Sequence, residues 1–304
     1  MFDIKKYQGI FPAFYACYED DGSVSPARTR ALAKYLLDKG VKGLYVGGSS
    51  GECIYQGVEE RKTILENVMA EVGGKMTIIA HVACNNTADS QELARHAESL
   101  GVDAIASIPP IYFHLPPYGI AQYWNDISAA APNTDFIIYN IPQLAGVSLT
   151  QSLLEVMRQN PRVIGVKNSS MPVQDIELWK EVGGTDFVVM NGPDEQFVSG
   201  LAMGATGGIG GTYAVMPELY MKIFELYNAG KVTEAAAVQH KVCHIIYTMC
   251  SAHGNLYAVM KEVLKRRGMD IGTVRKPLTG LAEEDFPIIE DVMAQIDDAI
   301  ARFC

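Results

Sequence analysis

RVIGVKNSS, residues 162–170, sets Val163, Ile164 and Val166 around Gly165 and then stops on Lys167, followed by Asn168, Ser169 and Ser170. The apolar run reads as a strand buried on both faces. Lysine is among the residue types least often found inside a protein. A core strand that ends on one therefore points either to a solvated lysine opening a loop or to an amine held at the rim of a core for its chemistry.

Seven more runs of this kind surround it, at 10–15, 43–47, 76–82, 104–108, 135–140, 187–191 and 207–211, with 163–167 as the sixth in order. Their starts lie roughly 20–35 residues apart, the size of a strand plus a crossover helix. Most are continuously apolar, as parallel strands covered on both sides are. The intervening segments carry helix signals. Ser25-Pro26 gives a cap and a proline at the first helical position. Ala31, Leu32, Tyr35 and Leu36 then share a face, and Lys39-Gly40 stops the helix. Thr87 is expected to cap a helix with Leu93, Ala94, Ala97 and Leu100 on one side, and Ser148 or Thr150 to open another through Met157. Eight such units predict an α/β fold, a TIM (β/α)8 barrel over 1–215. A doubly wound open sheet is the rival, but FPAFYACYED after the first strand lacks the glycine-rich turn that fold often carries. From 216 to 304 the pattern is helical (217–228, 232–250, 256–267 and 284–303), a C-terminal extension packed on the barrel.

The 304 residues are 48% hydrophobic and 20% charged, ordinary for a globular chain. A net charge of −10, with no basic cluster longer than Lys265–Arg267, argues against a nucleic-acid partner. No stretch reaches the roughly 18 apolar residues of a membrane span, so no membrane association is expected. Residues 1–22 lack an apolar core followed by a small-residue cleavage site, and none of the six cysteines forms a C-x-x-C pair. Reduced thiols and a cytoplasmic location are the expectation.

In a (β/α)8 barrel the chemistry sits where strands end. The second strand ends in GGSSGE (47–52), the fifth in YNIP (139–142), the sixth in Lys167, the seventh in NGPDE (191–195), and the eighth is GGIGGTY (207–213). A desolvated Lys167 amine can attack a carbonyl and form an imine, an electron sink for the neighbouring carbon. Tyr139 lies one β/α unit earlier, on a neighbouring strand, where a phenol can relay a proton; ordinary aromatic packing is the other reading. Ser49 and Ser50 stand in a loop of backbone N–H groups fit for a carboxylate or phosphate, or serve as capping serines. Asp194 and Glu195 are an acid/base pair, hydroxyl-binding carboxylates or helix N-terminal charges. His240 and His244 have the i, i+4 spacing of metal ligands, but no acidic residue stands beside them and they fall outside the barrel units, so no metal is expected.

GGSSGE, YNIP and a strand-terminal GVKNSS, in this order, resemble the class I pyruvate-dependent aldolases, the family of N-acetylneuraminate lyase and dihydrodipicolinate synthase. The resemblance spans nearly the whole chain. It implies that Lys167 forms the imine with a keto acid, that Ser49 and Ser50 hold its carboxylate, and that Tyr139 orients the imine and shuttles the proton. It implies no metal or organic cofactor, a homotetramer built as a dimer of dimers, and a Tyr112 that reaches into a neighbouring subunit's site. Two places discriminate within the family. YNIPQLAGVSL has Gln143 and Leu144 where the synthase has an arginine for a second carboxylate. NGPDE supplies Gly192, Asp194 and Glu195, which match the lyase motif for sugar hydroxyls, and Ser169 falls where the lyase has a substrate-contacting hydroxyl. The expectation is reversible cleavage of a sugar acid, N-acetylneuraminate, to pyruvate and N-acetylmannosamine. One departure keeps a shorter 2-keto-3-deoxy sugar acid open as substrate: the lyase's IGSTY is IGGTY here, with Gly211 for serine. Aspartate semialdehyde, or a non-catalytic keto-acid sensor, are the remaining alternatives. His253 and Asn255 are further candidates to face the sugar tail.

Overall fold

The computed structural model describes residues 3–304; residues 1–2 of the predicted 1–215 unit lie outside them. The strands are β1 (Gly9–Pro12), β2 (Gly43–Val46), β3 (Thr77–His81), β4 (Ala104–Ser107), β5 (Asp135–Asn140), β6 (Val163–Asn168), β7 (Val188–Asn191) and β8 (Gly207–Gly210). Between and around them run α1 (Pro26–Asp38), α2 (Val58–Val72), α3 (Thr87–Ser99), α4 (Pro117–Ala130), α5 (Pro142–Ala145), α6 (Gln151–Met157), α7 (Asp175–Gly183) and α8 (Phe197–Ala202). After β8 come α9 (Pro217–Asn228), α10 (Val232–Cys250), α11 (Leu256–Arg266) and α12 (Phe286–Phe303).

Among the described residues all eight strands form one parallel sheet, ordered β1-β8-β7-β6-β5-β4-β3-β2. The ring closes between β1 and β2: Lys42 N–H donates to Ile10 O at 3.0 Å, Phe14 N–H donates to Tyr45 O at 2.9 Å, and Ala13 bridges Tyr45. The closed ring excludes the doubly wound alternative. α9 packs on β1, α10 on α8 and α9, and α11 and α12 on α10. No helix among the described residues is long and apolar enough to cross a membrane.

Local signals behave as their chemistry dictates. Ser25 and Thr150 accept backbone N–H bonds at the starts of α1 and α6. At α3 the cap is Asn86, whose side chain accepts from Asp89 N–H, and Thr87 is the first helical residue; an asparagine just ahead of a threonine is at least as good a cap. The last helix begins at Phe286, after a short 3₁₀ turn Glu283–Asp285, because the Asp285 carboxylate accepts from the N–H groups of Ala282, His253 and Gly254.

One irregularity decides where Lys167 points. Along β5, Phe136 and Ile138 belong to the outer core against the helices, while Ile137 and Tyr139 belong to the barrel interior. On β6, Val163 is outer and Ile164 is inner. Strict alternation from there turns residue 167 outward. A bulge shifts the register between Phe136 and Ile137, so Gly165 opposes Ile137 and Lys167 opposes Tyr139. The extra residue reverses the parity, and the lysine enters the barrel mouth. Gly165 is needed there: a Cβ would collide with the Val188 carbonyl oxygen and side chain on β7. Gly165→Ala is expected to lose about 3 kcal/mol of stability through overpacking, measured by urea unfolding, with activity falling alongside as the bulge shifts.

Candidate active site

The Lys167 side chain is 4% exposed. Its Nζ lies 4.1 Å from the centroid of the Tyr45 ring and 3.8 Å from that of Tyr139. Among the described residues no carboxylate forms a salt bridge with it. Burial therefore pulls its pKa down to about 7, with Asp194 and Cys53 opposing. Tyr139 is pushed up to about 12 by burial, against the pull of the Ser49 and Ser169 hydroxyls. Its ring meets Tyr45 edge to face, with centroids 5.7 Å apart.

Behind the lysine, Asn168 anchors the strand end. Its Oδ1 accepts from Asn140 Nδ2 and Trp179 Nε1, each at 2.9 Å, and its Nδ2 donates to Ser170 Oγ at 2.9 Å. Ser169 N–H donates to Asn140 O at 2.7 Å, and Gln143 Nε2 donates to Ser169 O at 3.0 Å.

After β2 the chain makes a 3₁₀ turn, Ser49–Gly51, closed by Glu52 in the left-handed region at φ +54°. Gly48 lies so close to Tyr45 that a Cβ would meet its ring at 2.6 Å. The first N–H groups of such a turn have no acceptor within it. Ser49 and Ser50 thus offer hydroxyl and amide donors together.

After β7 and β8, Asp194 is buried and Glu195 exposed. Asp194 Oδ2 accepts from Thr212 N–H at 2.7 Å and Thr212 Oγ1 at 2.6 Å. Burial raises its pKa to about 6, while the Thr212 donors hold it down and Glu195 adds to the rise. Gly192 packs on Ser169, and a Cβ there would collide with Ser169 Oγ. Gly211 O accepts from Tyr15 OH at 2.6 Å, and a Cβ at 211 would meet Ser50 Oγ at 3.3 Å.

Ser49, Ser50, Tyr139, Lys167, Ser169, Gly192, Asp194, Glu195 and Gly211 all line one cavity of about 270 Å³ at the C-terminal ends of the strands. A neighbouring cavity of about 500 Å³ shares Ser49, Leu144 and Tyr257 with it but holds neither Lys167 nor Tyr139. Tyr112 lies outside it: it is 86% exposed, at φ +79°, stacked edge-on against Phe113. His253 and Asn255 do not line the cavity. His253 pairs with Asp285 at 3.2 Å, and Asn255 caps α11 through Tyr257 N–H. His240 and His244 are exposed on α10. Sequence reading missed Tyr45, under the amine, and Tyr257, which lines both cavities and is pushed up to about 12 by burial. Tyr45 sits two residues ahead of the glycine loop, so β2's inward parity could have found it; Tyr257 arrives from α11 and left no local signal.

The arrangement offers an amine with a pKa of about 7, a phenol, a set of hydroxyl and amide donors, and two carboxylates in one cavity. The gap between 10.5 and about 7 at Lys167 corresponds to about 5 kcal/mol of destabilisation where the free lysine is charged. That penalty is full below pH 7 and fades as pH rises towards 10.5, since only the unfolded chain holds the proton in that window. Lys167→Met is therefore expected to be more stable than the unsubstituted protein, with the difference in unfolding free energy shrinking between pH 7 and 10.

Residues 6–296 match the model of the dihydrodipicolinate synthetase family. The chain is 64% identical over 304 residues to N-acetylneuraminate lyase from Mediterraneibacter gnavus, covering 100% of this chain and 96% of that one. It is 33% identical over 298 residues to N-acetylneuraminate lyase from Salmonella agona, covering 96% and 98%. A Ruminococcus gnavus sialic acid aldolase, solved as its catalytic lysine mutant, superposes with a TM-score of 0.99 at 63% identity over 100% of both chains. With eight parallel strands closed around an inward lysine and a match along nearly its whole length, the chain belongs to the dihydrodipicolinate synthetase family.

Proposed function

We propose that the protein is a Schiff-base aldolase that reversibly cleaves N-acetylneuraminate to N-acetylmannosamine and pyruvate. The observation that carries this reading is the buried Lys167 amine, brought near neutrality between two tyrosine rings in the cavity that also holds Ser49, Ser50 and Asp194.

In the cleavage direction the Lys167 amine attacks C2 of the open-chain sugar acid, and loss of water gives the imine. Ser49 and Ser50 seat the carboxylate. Tyr139, a phenol near neutral pH, relays the C4 hydroxyl proton as the C3–C4 bond breaks and its electrons enter the imine. The enamine is protonated at C3 and hydrolysed to pyruvate. The imine is its own electron sink, so the reaction calls for no metal or organic cofactor. Asp194 and Glu195, with Gly192, Ser169 and Gly211 around them, hold the hydroxylated tail. Among the described residues no arginine lines the cavity, which argues against a second substrate carboxylate and so against aspartate semialdehyde. Ser50 Oγ lies 3.3 Å from where a Cβ at 211 would stand, and Gly211 itself offers the tail its backbone alone. A barrel of 1–215 carries the reacting groups and the extension of 216–304 braces it. The fully formed enzyme is a cytoplasmic homotetramer; the exposed Tyr112 and Phe113, whose rings meet edge to face, form an apolar patch suited to a second copy, through which Tyr112 reaches a neighbouring site.

Pyruvate release from N-acetylneuraminate, coupled to lactate dehydrogenase, is expected from the unsubstituted protein and abolished in Lys167→Ala. Retained cleavage in that variant would refute the reading. Tyr139→Phe is expected to lower kcat by about 10²- to 10⁴-fold with a smaller change in KM. Because attack requires the free amine, kcat/KM is expected to rise with pH and level off above about 7.

A further inference from the structure

α11 reaches back into the barrel mouth. Tyr257 and Lys261 are four residues apart and share one face of it. Tyr257 lines the cavity beside Ser50. Lys261 Nζ meets Glu52 Oε1 at 2.6 Å, with side chains 1% and 0% exposed, and donates to Thr273 O at 2.9 Å. The other Glu52 oxygen accepts from Arg275 N–H at 2.8 Å. Glu52 is the residue that closes the Ser49–Gly51 turn at φ +54°. A glutamate held in the left-handed region persists only when its surroundings over-determine it. A buried ion pair adds little net stability beyond an apolar pair of the same shape, so stability alone is a poor reason for this one.

We propose that Lys261 and Glu52 are positioning residues. Lys261, through Glu52, fixes the Ser49–Ser50 turn in the geometry that seats the substrate carboxylate, which makes the helical extension part of the binding machinery. The proposal rests on the keto-acid reading of the site.

The test is borohydride trapping of pyruvate on Lys167, read by mass, beside pyruvamide, which keeps the ketone and lacks the carboxylate. Glu52→Leu/Lys261→Met removes both charges together, so that neither is left buried alone. The half-saturating pyruvate concentration is expected to rise about tenfold or more. The trapped fraction at saturation, and the half-saturation for pyruvamide, are expected to stay within about twofold. Unchanged half-saturation for pyruvate, or equal losses for pyruvate and pyruvamide, would overturn the proposal and leave the pair a structural one. Glu52→Gln, which keeps the acceptor for Arg275 N–H, is the second variant should the double one not fold. It is expected to raise the pyruvate half-saturation at least about threefold, and no rise overturns the proposal too. If the unsubstituted protein traps no pyruvate, the keto-acid reading fails and takes this proposal with it. If it traps pyruvate but cleaves no N-acetylneuraminate, only the assignment of the aldehyde fails.

Discussion

Removing water from a single amine is the constraint around which the rest of the barrel mouth is arranged. The Lys167 ammonium loses its hydration against the faces of Tyr45 and Tyr139. A π face returns part of that loss, about 0.5–2 kcal/mol per desolvated contact, against the several kcal/mol that burial takes away. The balance leaves the amine near neutrality. A drier, wholly apolar pocket would push the pKa further down, but it would also oppose the positive charge that an imine must carry to draw electrons from a neighbouring bond. Two aromatic faces and the Asp194 carboxylate at longer range tolerate both states. In the proposed chemistry, the surroundings that free the amine also accept the iminium.

That arrangement depends on the direction of one side chain. The strand RVIGVKNSS could be recognised from its composition, and its terminal lysine from its place after an apolar run. The inward turn of Lys167 could not be recognised in the same way. Counting alternately from Val163 sends residue 167 outward; the bulge opposite Phe136 and Ile137 reverses the count. A bulge is a property of two paired strands, and a single strand's pattern does not display it. The glycine that permits it, Gly165, was visible, but the Val188 backbone that demands it lies on β7, more than twenty residues on.

The rest of the site divides along the same line. Ser49, Ser50, Tyr139, Ser169 and Asp194 were legible because each ends a strand, and a closed barrel brings all its strand ends to one rim. Tyr257 and Lys261 were not, because α11 shows only an amphipathic pattern, and nothing in such a pattern separates a helix face that packs on a core from one that grips a loop. Tyr112 is a candidate through resemblance alone: it is exposed, and its ring contact is with its sequence neighbour Phe113, so the geometry within the chain does not tie it to the site. Asn86 replaced Thr87 as a cap because two adjacent residues can each do the job and local energies of this size do not rank them reliably.

The two carboxylates after β7 are neighbours in sequence and differ in what holds them. Asp194 gives one oxygen to two Thr212 donors, and Thr212 in turn meets Tyr220 OH at 2.6 Å. Its other oxygen occupies the space that a side chain at Gly210 would fill, so a larger residue at 210 would displace it. Gln239 from α10 donates to the Asp194 carbonyl at 3.1 Å and ties the whole turn to the helical extension. Asp194 is thus a rigid acceptor, with burial keeping it short of full ionisation at mildly acidic pH. Glu195 stands exposed beside it, free to reorient. In the proposed reaction, this difference makes a hydroxyl contact at Asp194 exacting and one at Glu195 adaptable. A rigid buried acceptor discriminates strongly, because a missing hydroxyl leaves it unpaired. A solvated one does not, because water replaces what the substrate lacks. On that reading, discrimination among sugar acids should concentrate at the hydroxyls that meet Asp194 and relax at those that meet Glu195.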